Sequence, residues 1–400
     1  MYRNDSILEW VIVGGGIHGI CIANALIAHR YATRNDIRII DPNPEPLAEW
    51  KRTADNVGME FLRSPGVHHL DTEPFSLKHF SSNYRGGSKF FTAPNDRPSL
   101  TLFNAHAADV IKHNSLKEIF TQGLVTTIEI GSACATISSH NQMLRARRVV
   151  LALGQSHSVQ WPDWARIAAE KGGRIYHVLD AAYSKNNIPD SGKVVVIGGG
   201  MSAVQTALSL TGKNRHVTLV SPHALRYNNY DADPGWMGPK FLSKFKRIAS
   251  SARRRAVINA ARNSGTITQE LKRSISNINH EKKCVIVIGK SEKCTVLSND
   301  LMLLNLDNGE KIGANCIVLA TGYSSKRPGG HLVDTLITDN DLKCSLCGYP
   351  VTNHALQWHE NLFVTGPLAE LEVGPVSRNI IGAKMAARRI LQYHSKKIAV

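Results

Sequence analysis

The chain has 400 residues, of which 42% are hydrophobic, 20% charged and 6% aromatic. That balance supports a sizeable buried core and excludes a disordered, fibrous or collagen-like protein; at roughly 150 residues each, two to three domains are expected. The net charge of +16 is unevenly spread, because residues 239–283 hold twelve Lys or Arg against Glu270 and Glu281 and so contribute +10 of it.

The most apolar stretch, residues 11–28, is interrupted by Gly14, Gly15, Gly16, His18 and Gly19. It therefore predicts neither a membrane span nor a secretory leader. Within it, Val11-Ile12-Val13 reads as a short strand feeding Gly14-Gly15-Gly16-Ile17-His18-Gly19, a G-x-G-x-x-G turn, and then a helix through Leu26 and Ile27. Gly14 permits the tight turn, Gly16 lets a diphosphate approach the backbone, and Gly19 lets helix and strand pack closely. The helix start supplies free N–H groups and a positive partial charge. A second strand, Ile37 to Ile40, ends in Asp41, where an acceptor for a ribose 2′-hydroxyl belongs.

Further on, His68-His69 with Asp71 offers metal-ligand atoms, but near-adjacent residues with no helix to space them read as a hydrogen-bonded loop, and no metal site is expected. Val149 to Gly154 reads as a strand closing the first unit, and Asn186 to Gly192 as a linker. The fingerprint then recurs as Gly198-Gly199-Gly200-Met201-Ser202-Ala203, 184 residues after the first, with a helix from Val204 to Leu210 and a strand from His216 to Val220. Here no acid follows. Ser221-Pro222-His223-Ala224-Leu225-Arg226 offers hydroxyl, imidazole and guanidinium, and Arg226 suits the extra phosphate of NADP that a carboxylate would repel. Site one fits FAD and site two fits NADPH. Ile317 to Gly322 closes the second unit as Val149 to Gly154 closes the first; a strand ending in a small residue and Gly lets the chain cross close to a dinucleotide.

In the basic segment, Lys244, Lys246, Arg247, Arg253, Arg254, Arg255 and Arg262 fall on a helical pattern with Phe241, Leu242, Phe245, Ile248, Val257 and Ile258. Three readings compete: a solvated face, a dock for an acidic carrier protein or anionic substrate at 239–283, and a nucleic-acid contact, the last weakened by the lack of aromatic interleaving. Cys344-Ser345-Leu346-Cys347 precedes Gly348-Tyr349-Pro350 in a hairpin pattern and is either a structural pair or a redox pair, no further zinc ligands following in register. Seven cysteines without framework spacing fit a reducing, cytoplasmic setting. At the C-terminus, Gly374-Pro375 before Val376, Ile380, Ile381 and Ala383 predicts a helix starting at Pro375.

Strand-helix alternation at 10–40 and 194–220 gives an α/β class with parallel sheets. Taken together, the two fingerprints, Ala320-Thr321-Gly322-Tyr323, and Gly366-Pro367-Leu368-Ala369-Glu370-Leu371-Glu372-Val373-Gly374-Pro375 followed by Asn379 resemble the flavin-dependent N-hydroxylating monooxygenases, the lysine and ornithine N-hydroxylase group. The likeness runs through most of the chain except parts of 227–283. It implies two dinucleotide-binding, Rossmann-like domains: an FAD domain of residues 1–160 and 316–400, and an inserted NADPH domain of 190–315 with a basic helical insertion at 228–283.

The resemblance also implies that NADPH reduces the flavin, that O2 adds at C4a, and that the hydroperoxide hydroxylates an amine of a small metabolite. Gly14, Gly16, Gly19 and Asp41 would hold FAD; Gly198, Gly200, Ala203 and Arg226 would hold NADPH; Thr321, Gly322, Gly366, Gly374 and Pro375 would lie at the cofactors. The Pro375 helix either points at the flavin pyrimidine, where its dipole would stabilise negative charge, or only packs. Arg63 stands where the group keeps a Lys for the substrate carboxylate and is read either as that contact or as a surface arginine. Departures from the group include the Pro-, Gly- and Trp-containing segment 227–240 and Lys171 in place of Phe ahead of Gly173 and His177; the spacing from His157 to Trp161 is read as incidental. A reductase using Cys344 and Cys347, and a non-enzymatic anion- or nucleic-acid-binding module, stand as alternatives.

Overall fold

Val- and Ile-rich runs buried on both faces build two parallel sheets, the pattern expected when helices cover a sheet from either side. The computed structural model describes residues 2–84, 87–140, 142–155, 158–212, 214–298 and 300–398. The first sheet runs Gln357–His359, Leu362–Val364, Gln142–Leu151, Tyr2–Val13, Ile37–Asp41, Phe120–Gln122. Gln357–His359 and Leu362–Val364 pair antiparallel, the other four pairings in that order are parallel, and Val125–Ile130 and Ala135–Ser139 add an antiparallel extension on Gln142–Leu151. The second sheet runs Cys284–Ile288, Asn214–Ser221, Ser191–Ile197, Cys316–Leu319, Ile175–His177, parallel throughout.

In each sheet the strand entering the glycine turn lies beside the closing strand: Val11 pairs with Val149 and Val13 with Leu151, just as Val194 pairs with Cys316 and Ile197 with Leu319. The internal echo in the sequence is thus a register in space. It also moves a boundary. Cys316–Leu319 and Ile175–His177 belong to the second sheet, so the second unit begins before residue 190 and ends after 315. The linker expected at 186–192 instead contains a short turn, Lys185–Asn187, and the start of a central strand.

The basic segment is not one helix but three, Pro239–Lys246, Ser251–Ala261 and Gln269–His280. Ser250 caps the second by accepting from the Arg253 N–H. Trp236, Leu242, Phe245 and Ile258 bury against Tyr349, Leu371 and Val376, so the insertion packs on the C-terminal segment. Each such side chain contributes about 1.5–3 kcal/mol by leaving water.

The helix expected from Pro375 is also corrected. Pro375–Arg378 is a 3-10 turn, Asn379 is extended (φ −92°, ψ 170°), and the long helix is Ile380–Ile398. The Ser377 hydroxyl donates to the Gly366 carbonyl at 2.6 Å, holding the turn back against the preceding loop.

Candidate cofactor sites

The first glycine turn separates two kinds of constraint. Gly14 has φ +113°, and a Cβ there would lie 2.5 Å from the Ala152 carbonyl oxygen; at Gly19 a Cβ would lie 1.8 Å from the Gly14 carbonyl. Strand and helix meet backbone to backbone, which only glycine allows. Gly16 is different. A Cβ there would meet nothing within 4 Å, and its φ of −77° suits any residue. The fold does not need this glycine, so the open space beside it is room for a ligand. Gly16 is also the helix N-cap without a side-chain cap, which leaves first-turn N–H groups for an anion.

Asp41 ends the second strand as expected. Its Oδ2 accepts from the Gly15 N–H at 2.6 Å, and its Oδ1 accepts from the backbone and side-chain nitrogens of Asn43 at 2.8 Å. Oδ2 keeps a second acceptor direction. His18, unassigned by sequence reasoning, places Nδ1 2.8 Å from the Thr365 hydroxyl. Its Nε2 is buried beside the backbone of Arg378 and Asn379, short of a hydrogen bond of standard geometry. Burial pushes this imidazole down to about 4, so it is neutral at physiological pH. Gly366, with φ +62°, lies against the same ring.

The second turn repeats the first. Gly198 has φ +145°, and a Cβ there would lie 2.6 Å from the Ala320 carbonyl oxygen, the counterpart of Ala152. The Gly14 N–H donates to Ile40 at 2.8 Å and the Gly198 N–H to Val220 at 2.9 Å. Ala203 fits where the first turn needs Gly19, its Cβ 3.1 Å from the Cβ position of Gly198.

A cavity of about 870 Å³ lies over this second turn, walled by Gly198, Gly199, Gly200, Met201 and Ser202, by His223, Ser264, Gly265 and Lys290, and by Ala320, Thr321 and Gly322. It reaches Arg63 and Asp231. Arg226 stands just behind the wall, its Nη2 3.0 Å from His223 Nε2 and 3.2 Å from the Ser264 carbonyl. Lys290, beyond the end of Cys284–Ile288, was missed by sequence reasoning because only the pairing of that strand with Asn214–Ser221 brings it to the cavity wall that His223 also lines. The Thr321 hydroxyl donates to the Gln160 carbonyl and lies 3.2 Å from His177 Nε2.

Arg63 is engaged by its own chain. Nη1 pairs with Asp231 at 2.5 Å, and Nη2 donates to the carbonyls of Asn228 and Tyr230 and the hydroxyl of Thr266 at 2.7–2.8 Å. The guanidinium ties the first unit to the insertion at the cavity rim, and a substrate carboxylate would have to displace these partners. Gly374, with φ +96°, faces Trp236, Leu242 and Phe245, and the Pro375 carbonyl accepts from Arg262 Nε at 3.1 Å.

Arg254, Arg255 and Arg262, expected on a charged surface, turn inward instead. Glu370, fully buried, pairs with Arg255, with Arg262 at 2.6 Å and with Arg378 at 2.9 Å. Glu372 pairs with Arg254 at 2.6 Å and Arg389 at 3.3 Å. Burial alone would raise the Glu370 carboxyl, but the arginines outweigh it and bring it down to about 2. The signal available beforehand was two acids in an apolar C-terminal run set against a segment of +10.

Residues 11–315 match the pyridine nucleotide-disulphide oxidoreductase family. The chain belongs to that family. No curated protein matches it. Its fold is similar to the ornithine hydroxylase PvdA of Pseudomonas aeruginosa (16% identity, TM-score 0.79, covering 98% of this chain and 100% of that one). It is also similar to the FAD-bound cadaverine monooxygenase DfoA of Erwinia amylovora (15%, 0.78, 98% and 95%) and to the ornithine N-hydroxylase KtzI of Kutzneria sp. 744, solved with reduced FAD, NADP+ and L-ornithine (14%, 0.76, 98% and 100%). At such identities the likeness establishes the fold: an α/β protein with two dinucleotide-binding units.

For a member of a disulphide oxidoreductase family, the position of the thiols is informative. Cys344 and Cys347 do not line the cavity; they sit on a hairpin where Cys344 bridges Pro350 and the Ser345 N–H donates to the Tyr349 carbonyl. Burial pushes Cys21 and Cys316 up to about 12, and Cys284 and Cys294 to about 11. His69 Nε2 lies 3.0 Å from the Pro74 carbonyl, a loop contact, and no group of three His, Cys, Asp or Glu side chains gathers for a metal among the described residues. His157 lies outside the described residues. No helix among the described residues is long and apolar enough to cross a membrane.

Proposed function

We propose that this oxidoreductase is an FAD-containing, NADPH-dependent monooxygenase that N-hydroxylates an amine of a small metabolite. The observation that carries the reading is the cavity running from the second glycine turn to Arg63 and Asp231, which gives a nicotinamide coenzyme a path to the first unit. The shared fold of PvdA, DfoA and KtzI, named for ornithine and cadaverine, points to an amine as the acceptor.

The residues present fit both coenzymes. Gly14, Gly16, Gly19 and Asp41 would hold FAD, since the space a Gly16 Cβ would enter is open. Gly198, Gly200 and Ala203 would hold the NADPH diphosphate, and Arg226, His223 and Lys290 supply cationic or hydrogen-bonding groups for the 2′-phosphate. Bound FAD supplies electron transfer from NADPH and the activation of O2. Thr321 and Gly322 bring backbone to the cavity floor without bulk. Gly366, Gly374 and Pro375 shape the loop that closes on the first unit, and Glu370 fixes that loop by charge. Asp231, held by Arg63 and half exposed at the rim, provides a carboxylate for an ammonium group.

In this reading the FAD domain comprises residues 1–160 and the chain after 322, and the NADPH domain 175–322 with the insertion at 228–283. Lys240, Lys244, Lys246, Arg247 and Arg253 remain exposed, so an amine delivered on an acidic carrier protein is a second form of the substrate. Seven free cysteines fit a cytoplasmic setting.

Purified protein is expected to be yellow, to oxidise NADPH faster than NADH, and to form a hydroxylamine from one member of an amine panel. Colourless protein that refuses added FAD, or oxygen uptake with no hydroxylated product across the panel, would refute it. Turnover abolished by replacing both Cys344 and Cys347 with Ser would favour the reductase instead.

A further inference from the structure

Of the seven cysteines, Cys347 alone is exposed. It sits at the tip of the hairpin that begins at Cys344, next to Leu346, whose side chain is wholly in solvent. Its Sγ lies 3.1 Å from the Ser345 hydroxyl. The Arg255 guanidinium is its other neighbour, near enough for its positive charge to favour the thiolate. Arg255 stacks over the Tyr349 ring, 4.1 Å from guanidinium carbon to centroid, and gives Nη1 to Glu370. The opposite edge, Nε and Nη2, is buried and has no hydrogen-bond partner among the described residues. A buried guanidinium with one edge on a carboxylate and the other unpaired favours negative charge on a neighbouring thiol.

We infer that Cys347 is a modification site, a thiolate oxidised by hydrogen peroxide, with Cys344 as the resolving thiol. The Cys347 thiolate attacks one peroxide oxygen; the S–O bond forms as the O–O bond breaks, and hydroxide leaves to become water on taking a proton. Sulfur is oxidised by two electrons to the sulfenic acid and peroxide is reduced. Cys344 then attacks the Cys347 sulfur, the S–O bond breaks, and hydroxide leaves with the Cys344 proton as a second water, giving the disulfide. Burial at Cys347 works to raise the thiol, but Ser345 and Arg255 outweigh it and hold the thiol below its ordinary value, while burial raises Cys344. That is the division of labour between an attacking and a resolving sulfur. The inference does not depend on the proposed oxygenase reaction.

The experiment is residue-resolved alkylation and oxidation of the full chain. With iodoacetamide at pH 7, mass mapping is expected to find Cys347 labelled first, with a pH midpoint below the ordinary thiol value of about 8.5. After peroxide, the native chain is expected to yield a Cys344–Cys347 disulfide reversible by dithiothreitol. Cys344→Ser should stop at a sulfenic acid on Cys347 that dimedone labels, and Cys347→Ser should do neither. Arg255→Gln should slow Cys347 alkylation at pH 7 about tenfold, one unit of thiolate fraction. Labelling of Cys347 no faster than Cys294, or a midpoint at or above the ordinary thiol value, overturns the inference. The midpoint is read on the unaltered protein and so decides the matter even if Arg255→Gln fails to fold.

Discussion

Substituting alanine at two glycines three residues apart should separate folding from flavin binding. In Gly19→Ala the new Cβ sits 1.8 Å from the Gly14 carbonyl oxygen, roughly half an ordinary contact distance. Both partners are backbone, so no side-chain rotation relieves the clash. The cost lies at or above the upper end of the about 1–3 kcal/mol typical of overpacking. In Gly16→Ala the Cβ touches nothing within 4 Å and the backbone is already extended. The folded apoprotein should be unchanged or stabilised by about 0.4–1 kcal/mol through the less flexible unfolded chain. The methyl then occupies the ligand's space, and the overpacking penalty falls on FAD; a Kd raised at least about tenfold corresponds to about 1.4 kcal/mol. Thermal unfolding of apoprotein and flavin titration by fluorescence quenching measure the two effects. Gly16→Ala protein that binds FAD as tightly as the parent would refute the assignment of that space to the diphosphate. Gly19→Ala protein as stable as the parent would refute the packing argument.

Removing the Glu370 charge as Glu370→Gln leaves Arg255, Arg262 and Arg378 converging on a neutral amide, so stability should fall by about 3–5 kcal/mol in denaturant titration; an unchanged midpoint would contradict it. Arg226→Ala should raise KM for NADPH about tenfold or more while leaving NADH kinetics unchanged, the loss expected for one charge-assisted hydrogen bond, and equal effects on the two coenzymes would show that Arg226 is not at the phosphate. Acid should destabilise the fold before carboxylates titrate. Burial pushes His68, His106 and His177 down to about 4 and His69 to about 3, below the ordinary 6.5. The unfolded chain therefore takes up these protons first, and the stability from keeping the rings neutral is complete above about pH 6.5 and lost as pH falls toward 4. Each ring contributes a slope of up to about 1.4 kcal/mol per pH unit in that window. Urea midpoints that stay flat from pH 7 to 5 would show that these rings are not buried as described.

The parts of the fold legible beforehand were those whose signal is local. A strand, a glycine turn, a helix and the residue ending the next strand lie within some thirty positions, and the turns at Gly14 and Gly198 fall where their spacing places them. What escaped were juxtapositions set by strand order. Ile175–His177 falls outside both expected domains until it pairs with Cys316–Leu319; Lys290 looks like an ordinary surface lysine until Cys284–Ile288 becomes the neighbour of Asn214–Ser221. Arg63 reads in sequence as a substrate contact or a surface arginine, because its partners, Asp231 and the carbonyls of Asn228 and Tyr230, are about 165 residues away in sequence. The Pro375 helix failed for a different reason: proline permits a helix start, but a side chain bonded backward, Ser377 to Gly366, shortens it to a turn.

The charge of the insertion shows how composition misleads when its counter-charge is remote. A segment of +10 read alone asks for an outside anion, whereas two acids in the C-terminal loop take up Arg254, Arg255 and Arg262. That loop carries Gly366, Gly374 and Pro375 and packs on His18, which sits between Gly16 and Gly19 in the first turn. Docking of the insertion is therefore coupled, through Glu370 and then Thr365 and His18, to the place where a flavin would lie. A buried ion cluster is a poor way to gain stability, because desolvation offsets most of the attraction. It does tie separate segments to one point, since Glu370 receives Arg255 and Arg262 from the insertion and Arg378 from its own segment. The second turn instead borders the cavity that reaches Arg63 and Asp231.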